Sequence, residues 1–206
     1  MHLLAGAALF LSNPTAADSG YTSPMTHQLT TSYIEDSVTL LVYSKKMAER
    51  AIAQVSDEHL FATLDAESNS IAIIVKHMTG NMRSRWTDFL SSDGEKPDRN
   101  RDSEFEEPPA TREAVLAAWE AGWSCVFSAL HALTDEDLSR TVTIRGEPHS
   151  VLQAINRQVA HYSLHIGQII LLAKHFAGES WQSLTIPRRA SADYNQRVLS
   201  GQASQR

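Results

Sequence analysis

Cys125 is the only cysteine in the chain, so no intrachain disulfide can form and a cysteine-rich zinc site is ruled out. Basic clusters are missing as well. The 18 Lys and Arg residues are scattered among 24 acidic ones, the formal net charge is -6, and no DNA or RNA footprint can be drawn. Glycine and proline are scarce, at 9 and 7 of 206 residues, which leaves long stretches free to be helical. No stretch is apolar over the roughly 20 residues a membrane-spanning helix needs. The longest such run, Leu3 to Leu11, has signal-peptide length, and Thr15-Ala16-Ala17 is a passable cleavage site. Its leading residues hold no Lys or Arg, however, and Met25 stands just before the first amphipathic pattern. The preferred reading is an overextended gene start, with residues 1–24 outside the fold and a cytoplasmic protein beginning near Met25. The alternative is an exported protein with a signal peptide.

What is present is enough apolar residue, 42%, to give one domain a continuous core. From about Thr31 to Val55, apolar residues recur at helical spacing through Ile34, Val38, Leu41, Val42, Met47, Ala51 and Ile52. The short polar side chains of residues 65–70 suit the cap of a second helix, running from about Ile71 to Leu90. Residues 91–110 contain Gly94, three prolines and dense alternating charge, so they read as a long connection without a packed helix. Loops of that length inside a compact domain often serve a site or a partner subunit; a solvated crossover is the plain alternative. A third helix spans about Thr111 to Leu133. Residues 141–148 suggest a small β excursion, too short to define a sheet. The fourth helix has a capping box, Ser150 with Gln153, and Gly178 as its stop. The predicted fold is therefore all-α, a four-helix bundle over residues 25–190 with a long loop between helices two and three. A polar, frayed tail follows over 191–206.

Chemistry concentrates on two of these helices. His161 and His165 lie four residues apart on the fourth, one turn from each other on one face, near enough to reach a single metal ion. Both sit on the shoulder of the apolar stripe formed by Ile155, Tyr162, Ile166, Ile169 and Ala173, which faces a groove between helices. Spacing alone favours solvated or hydrogen-bonded histidines over a metal pair. Tyr162 stands where a zinc protease of the HExxH type carries its glutamate, so that chemistry is disfavoured. On the second helix His77, Asn81, Arg85 and Asp88 form a polar stripe beside an apolar one. Gly80, at mid-helix, costs about 1 kcal/mol relative to alanine and hints at a close approach. Cys125 and the tryptophans Trp86, Trp119 and Trp123 read as packing residues. His27, His59, His131, His149 and His175 have no partner at ligand spacing.

One histidine on the second long helix, HxxxH on the fourth and the following Ile166-Gly167-Gln168-Ile169 resemble the metal-binding pattern of the DinB superfamily, over roughly residues 31–177. The run IVKHMTGNMRSRWTDFL, with DGEKP and NRD after it, is similar to an uncharacterised branch. The resemblance implies a three-histidine site, His77, His161 and His165, for zinc, nickel or a similar divalent ion, often in a homodimer. It also implies a metal-dependent enzyme of the thiol S-transferase kind, joining a low-molecular-weight thiol such as bacillithiol, mycothiol or glutathione to a small electrophile. Asn81 and Arg85 are the candidates to bind an anionic substrate or thiol carboxylate, with interhelical hydrogen bonding as their alternative role. Two other functions stay open: a metal-dependent hydrolase, and a non-catalytic stress-related bundle with a structural metal.

Overall fold

The computed structural model describes residues 31–204; the expectations for residues 1–24 and the start near Met25 lie outside them. The helices are α1 (Tyr33–Ile52), α2 (Asp57–Phe61), α3 (Ile71–Trp86), α4 (Arg112–His131), α5 (Val151–Ala177) and α6 (Ser191–Leu199). Two strands, β1 (Thr141–Ile144) and β2 (Glu147–Ser150), pair antiparallel, so the expected β excursion is a single hairpin. The bundle consists of α1, α3, α4 and α5, with α3 packed on α4 and α5, and α1 on α5 and α4.

Each of these four helices starts at a hydroxyl side chain that accepts a hydrogen bond from the first turn. Ser32 accepts from the Glu35 amide, Ser70 from Ile73, Thr111 from Ala114 and Ser150 from Gln153. The Ser150 amide in turn donates to the Gln153 side-chain oxygen, completing the capping box. At the far end of α5, Gly178 has φ +55°, a left-handed conformation that stops the helix without a Cβ penalty.

The core is the apolar stripes brought together. Trp119 and Trp123 of α4 are fully buried, with Leu41 of α1, Met78 and Met82 of α3, and Ile155, Tyr162 and Ile169 of α5. Trp86 closes the end of α3, its indole N–H donating to the Tyr162 hydroxyl at 2.9 Å. The three tryptophans singled out in the sequence are thus core residues. Among the described residues no helix is long and apolar enough to cross a membrane.

Three departures from the expected outline have local causes. Helix α3 ends at Trp86 instead of near Leu90, because Thr87 is extended and Asp88 turns left-handed at φ 47°. The long connection is not uniformly irregular: Asp102–Phe105 forms a 3-10 turn packed against α3. The tail expected to fray carries α6 instead, a short helix with no buried residue.

Candidate metal centre

His77, His161 and His165 converge, with one ligand atom from each lying within 4.8 Å of the others. The Nε2 atom of His161 is 3.3 Å from that of His77 and 3.1 Å from that of His165. A tetrahedral set of nitrogen donors at zinc bond lengths separates neighbouring donors by about 3.3 Å, so these spacings suit one divalent ion. The group could hold a metal ion, and the residues present fit one.

The helices explain the convergence. Burial of Ile155, Tyr162, Ile166, Ile169 and Ala173 fixes the rotation of α5 and leaves His161 and His165 half-buried on the shoulder that faces α3. On α3, burial of Ile74, Met78 and Met82 turns His77 toward them, 4% exposed. Tyr162 points the other way, into the core. Its hydroxyl receives the Trp86 N–H and donates to the Asn81 side-chain oxygen at 3.3 Å, and burial raises its pKa so that it stays protonated. It is a core strut that holds Asn81, in keeping with the absence of a zinc-protease motif.

Each outer histidine is oriented through its second nitrogen. His77 Nδ1 lies 2.9 Å from Glu104 Oε2, and His165 Nδ1 lies 2.8 Å from Gln168 Oε1. A carboxylate or amide oxygen at Nδ1 fixes the tautomer that leaves the Nε2 lone pair free for a metal. Glu104 is itself gripped by Arg99, whose Nε and Nη2 donate to its two oxygens at 2.8 and 2.9 Å. Burial works to raise the Glu104 pKa, but the bonds from His77 and Arg99 overcome it and hold the carboxyl below its usual range. Phe105 stacks on the His77 ring at 4.4 Å between centroids, and the Arg101 guanidinium lies 4.9 Å from the centre of the Phe105 ring.

Burial, reinforced by the neighbouring His165, His77, Arg99 and Arg85, pushes the His161 pKa down to about 3. Burial also lowers His165, against the opposing bond to Gln168. Neutral imidazoles are the ligating form, so these surroundings favour metal over proton at this position.

Glu104, Arg99 and Phe105 all come from the long connection, and none was a candidate in the sequence. Gly80 was the signal that pointed to them: a Cβ there would collide with Glu104 Oε1. The close approach inferred from a mid-helix glycine is that of the 3-10 turn. Lys76 secures the same segment by donating to the carbonyls of Ser103 and Glu107.

Beside the histidines opens a cleft of about 530 Å³ that both Asn81 and Arg85 line. Arg85 is 5% exposed; it donates to Gly94 O and, at 2.8 Å, to Glu95. Burial lowers its pKa, against the pull of Glu95. Asp88, the fourth member of the stripe on α3, is exposed on the other side, where the helix has already ended. Cys125 is half-buried beside an apolar groove, with Sγ 3.5 Å from the Thr87 hydroxyl. Of the remaining histidines, His59 stacks on Phe176, while His27 lies outside the described residues.

A family model described as a protein of unknown function (DUF1572) matches residues 28–190. Among solved structures, the chain is similar to a DinB-like protein from Bacillus cereus ATCC 10987, with a TM-score of 0.56 at 16% identity, covering 71% of this chain and 94% of that one. That identity supports the shared fold alone. No curated protein matches the chain.

Proposed function

The chain belongs to the DUF1572 family and has the fold of a DinB-like protein, and from that premise we propose that it is a metal-dependent enzyme that joins a low-molecular-weight thiol to a small electrophile. His77, His161 and His165 are the proposed ligands of one divalent ion, zinc in the first instance and nickel as the alternative, because the donor spacing suits a tetrahedral set. The observation that carries the reading is the open side of the histidine group. Among the described residues only three side chains make up the cluster, and they border a cleft large enough for a small molecule. Structural zinc sites are closed by a fourth protein ligand, whereas catalytic ones keep a position free.

A divalent ion held by three neutral imidazoles keeps its full charge and supplies the Lewis acidity that draws a proton from a thiol near neutral pH. The chain's own residues do the rest. Glu104 and Gln168 hold the two outer imidazoles in the ligating tautomer, and Arg99 holds Glu104. Phe105 covers one face of His77 and keeps water from that side. Asn81, its oxygen engaged by Tyr162, turns its amide N–H groups to the cleft as donors for a substrate carboxylate, and Arg85 adds a fixed positive charge beside it. The proposed working form is a homodimer. Leu40 and Tyr43 of α1, and Leu164 and Leu171 of α5, are exposed apolar residues at helical spacing, and sedimentation at micromolar concentration distinguishes dimer from monomer.

The test is conjugation. Zinc-loaded, untagged protein is incubated with glutathione, bacillithiol or mycothiol and a chloronitroaromatic or epoxide electrophile, and the product is read by mass spectrometry. Thioether formation above the uncatalysed rate, lost on chelation, is the expected result. Metal-loaded protein that accelerates none of these reactions contradicts the transferase reading.

A further inference from the structure

The cleft beside the histidines has a charge character that the metal reading does not require. Its lining includes Arg85, Arg99, Arg101, Arg145 and Arg157 and no Asp or Glu, in a chain whose net charge is -6. Two carboxylates just behind the wall serve these cations. Glu95 Oε2 takes Arg85 at 2.8 Å, Arg99 at 3.1 Å and Arg145 at 3.4 Å, and Glu104 takes Arg99. Five guanidinium groups against two carboxylates leave three positive charges uncompensated before any metal enters.

The distribution of partners is uneven. The side chains of Arg85 and Arg99 are buried and tied into the Glu95–Glu104 network, while Arg101, Arg145 and Arg157 are exposed at the mouth. Among the described residues the Arg157 side chain has no ion pair or hydrogen bond, and the Arg101 side chain has only its contact with Phe105. Among the residues lining the cleft, three buried polar atoms lack a partner: Arg85 Nε, on a residue 5% exposed, Gln158 Oε1, on a residue 3% exposed, and His161 Nδ1. A buried polar group left without a partner is costly, so such groups at the wall of a cleft mark where a ligand completes the bonding. The Gln158 amide can present either oxygen or nitrogen by a flip.

The cavity on the other side of the same loop is the contrast. It is of similar size, about 500 Å³, but its four cations, Lys76, Arg83, Lys96 and Arg99, share the wall itself with three carboxylates, Asp88, Asp98 and Glu104. That groove lies within one charge of balance, whereas the wall of the histidine cleft carries no carboxylate.

We propose that the cleft recognises a small molecule with two separated anionic oxygen groups, one received on the floor by Arg85, Asn81 and Gln158 and the other at the mouth by Arg101 and Arg157. This deepens the reading above, on which it rests: the molecule brought to the metal carries two anionic oxygen groups, so a dicarboxylate thiol such as glutathione suits the cleft and a thiol without carboxylates does not. The fixed cations serve both capture and orientation, since fields focused in a low-dielectric cleft raise local anion concentration.

The test uses thiol-free probes, so that binding is read apart from chemistry. Succinate, glutarate, S-methylglutathione and 3-phosphoglycerate are titrated calorimetrically into zinc-loaded protein, with the methyl or ethyl esters as uncharged controls and bound zinc measured in each sample. At least one dianion is expected to bind tenfold or more tighter than its ester, with affinity falling as salt rises. Arg157→Gln and Arg101→Gln, both at exposed positions that leave the core untouched, are each expected to weaken it about tenfold while zinc content stays unchanged. Dicarboxylates and the phosphate-bearing probe separate the two sources of anionic oxygen. Esters binding as well as acids, affinities unchanged in both variants, or no dianion binding at millimolar concentration overturns the proposal. Protein that takes up no zinc at all contradicts the metal reading instead.

Discussion

Two parts of the chain that meet at the three-histidine centre are built in opposite ways. Helix α5 supplies two imidazoles from a regular frame: its capping box, its buried stripe and its glycine stop all determine where His161 and His165 point. The connection between α3 and α4 supplies no proposed ligand, yet it brings Glu104, Arg99 and Phe105 to His77 from an irregular and highly charged segment. The helix is held by apolar burial, and the connection by polar bonds to side chains of α3. Lys76 donates to its carbonyls, and Ser84 and Arg85 donate to Gly94 O. The difference teaches that the placement of the histidines and the groups that orient them have separate structural sources here, so each can be disturbed without the other.

Glu104→Ala strikes the connection hardest. Removing one partner of a buried ion pair costs roughly 3–5 kcal/mol, and the lower end applies because Glu95 still holds Arg99. Loss of the carboxylate behind a ligating histidine weakens metal binding about 10–100-fold. Denaturant unfolding and metal titration check the two effects separately, and Glu104→Gln, which keeps the size, should recover most of the stability but less of the affinity. A smaller effect is expected from Gly80→Ala. Alanine favours the helix by about 1 kcal/mol, but its methyl group would displace a Glu104 that Arg99 and His77 hold in place. Metal affinity should fall by up to about tenfold with little change in unfolding free energy. An affinity equal to wild type in both variants would mean that the connection does not tune the site.

The same contrast accounts for what could be read from the sequence. The four long helices, their caps at Ser70, Thr111 and Ser150, the stop at Gly178 and the faces of His77, His161 and His165 all follow from periodicity and local hydrogen bonding. Those are short-range rules. Glu104 meets His77 across 27 residues of chain, a contact made by tertiary packing of a segment with no period to read. The mid-helix Gly80 was its one local trace. Arg157 was more accessible to inspection, since it precedes His161 by four residues and so shares the face of α5 that carries both histidines. Arg145 was not, because its place depends on the β1–β2 turn being fastened by Asp93, whose carboxylate accepts from the Arg145 and Gly146 amides at 2.8 Å.

The central claim is that three imidazoles from two helices hold one metal ion, and elemental analysis by plasma mass spectrometry tests it most directly on untagged protein reconstituted with zinc or nickel. The account predicts about one divalent ion per chain in the wild type and none above background in His161→Ala, with helicity by circular dichroism preserved because the buried stripe of α5 is unchanged. Full metal retention in His161→Ala, or no uptake by a folded wild type, would contradict it.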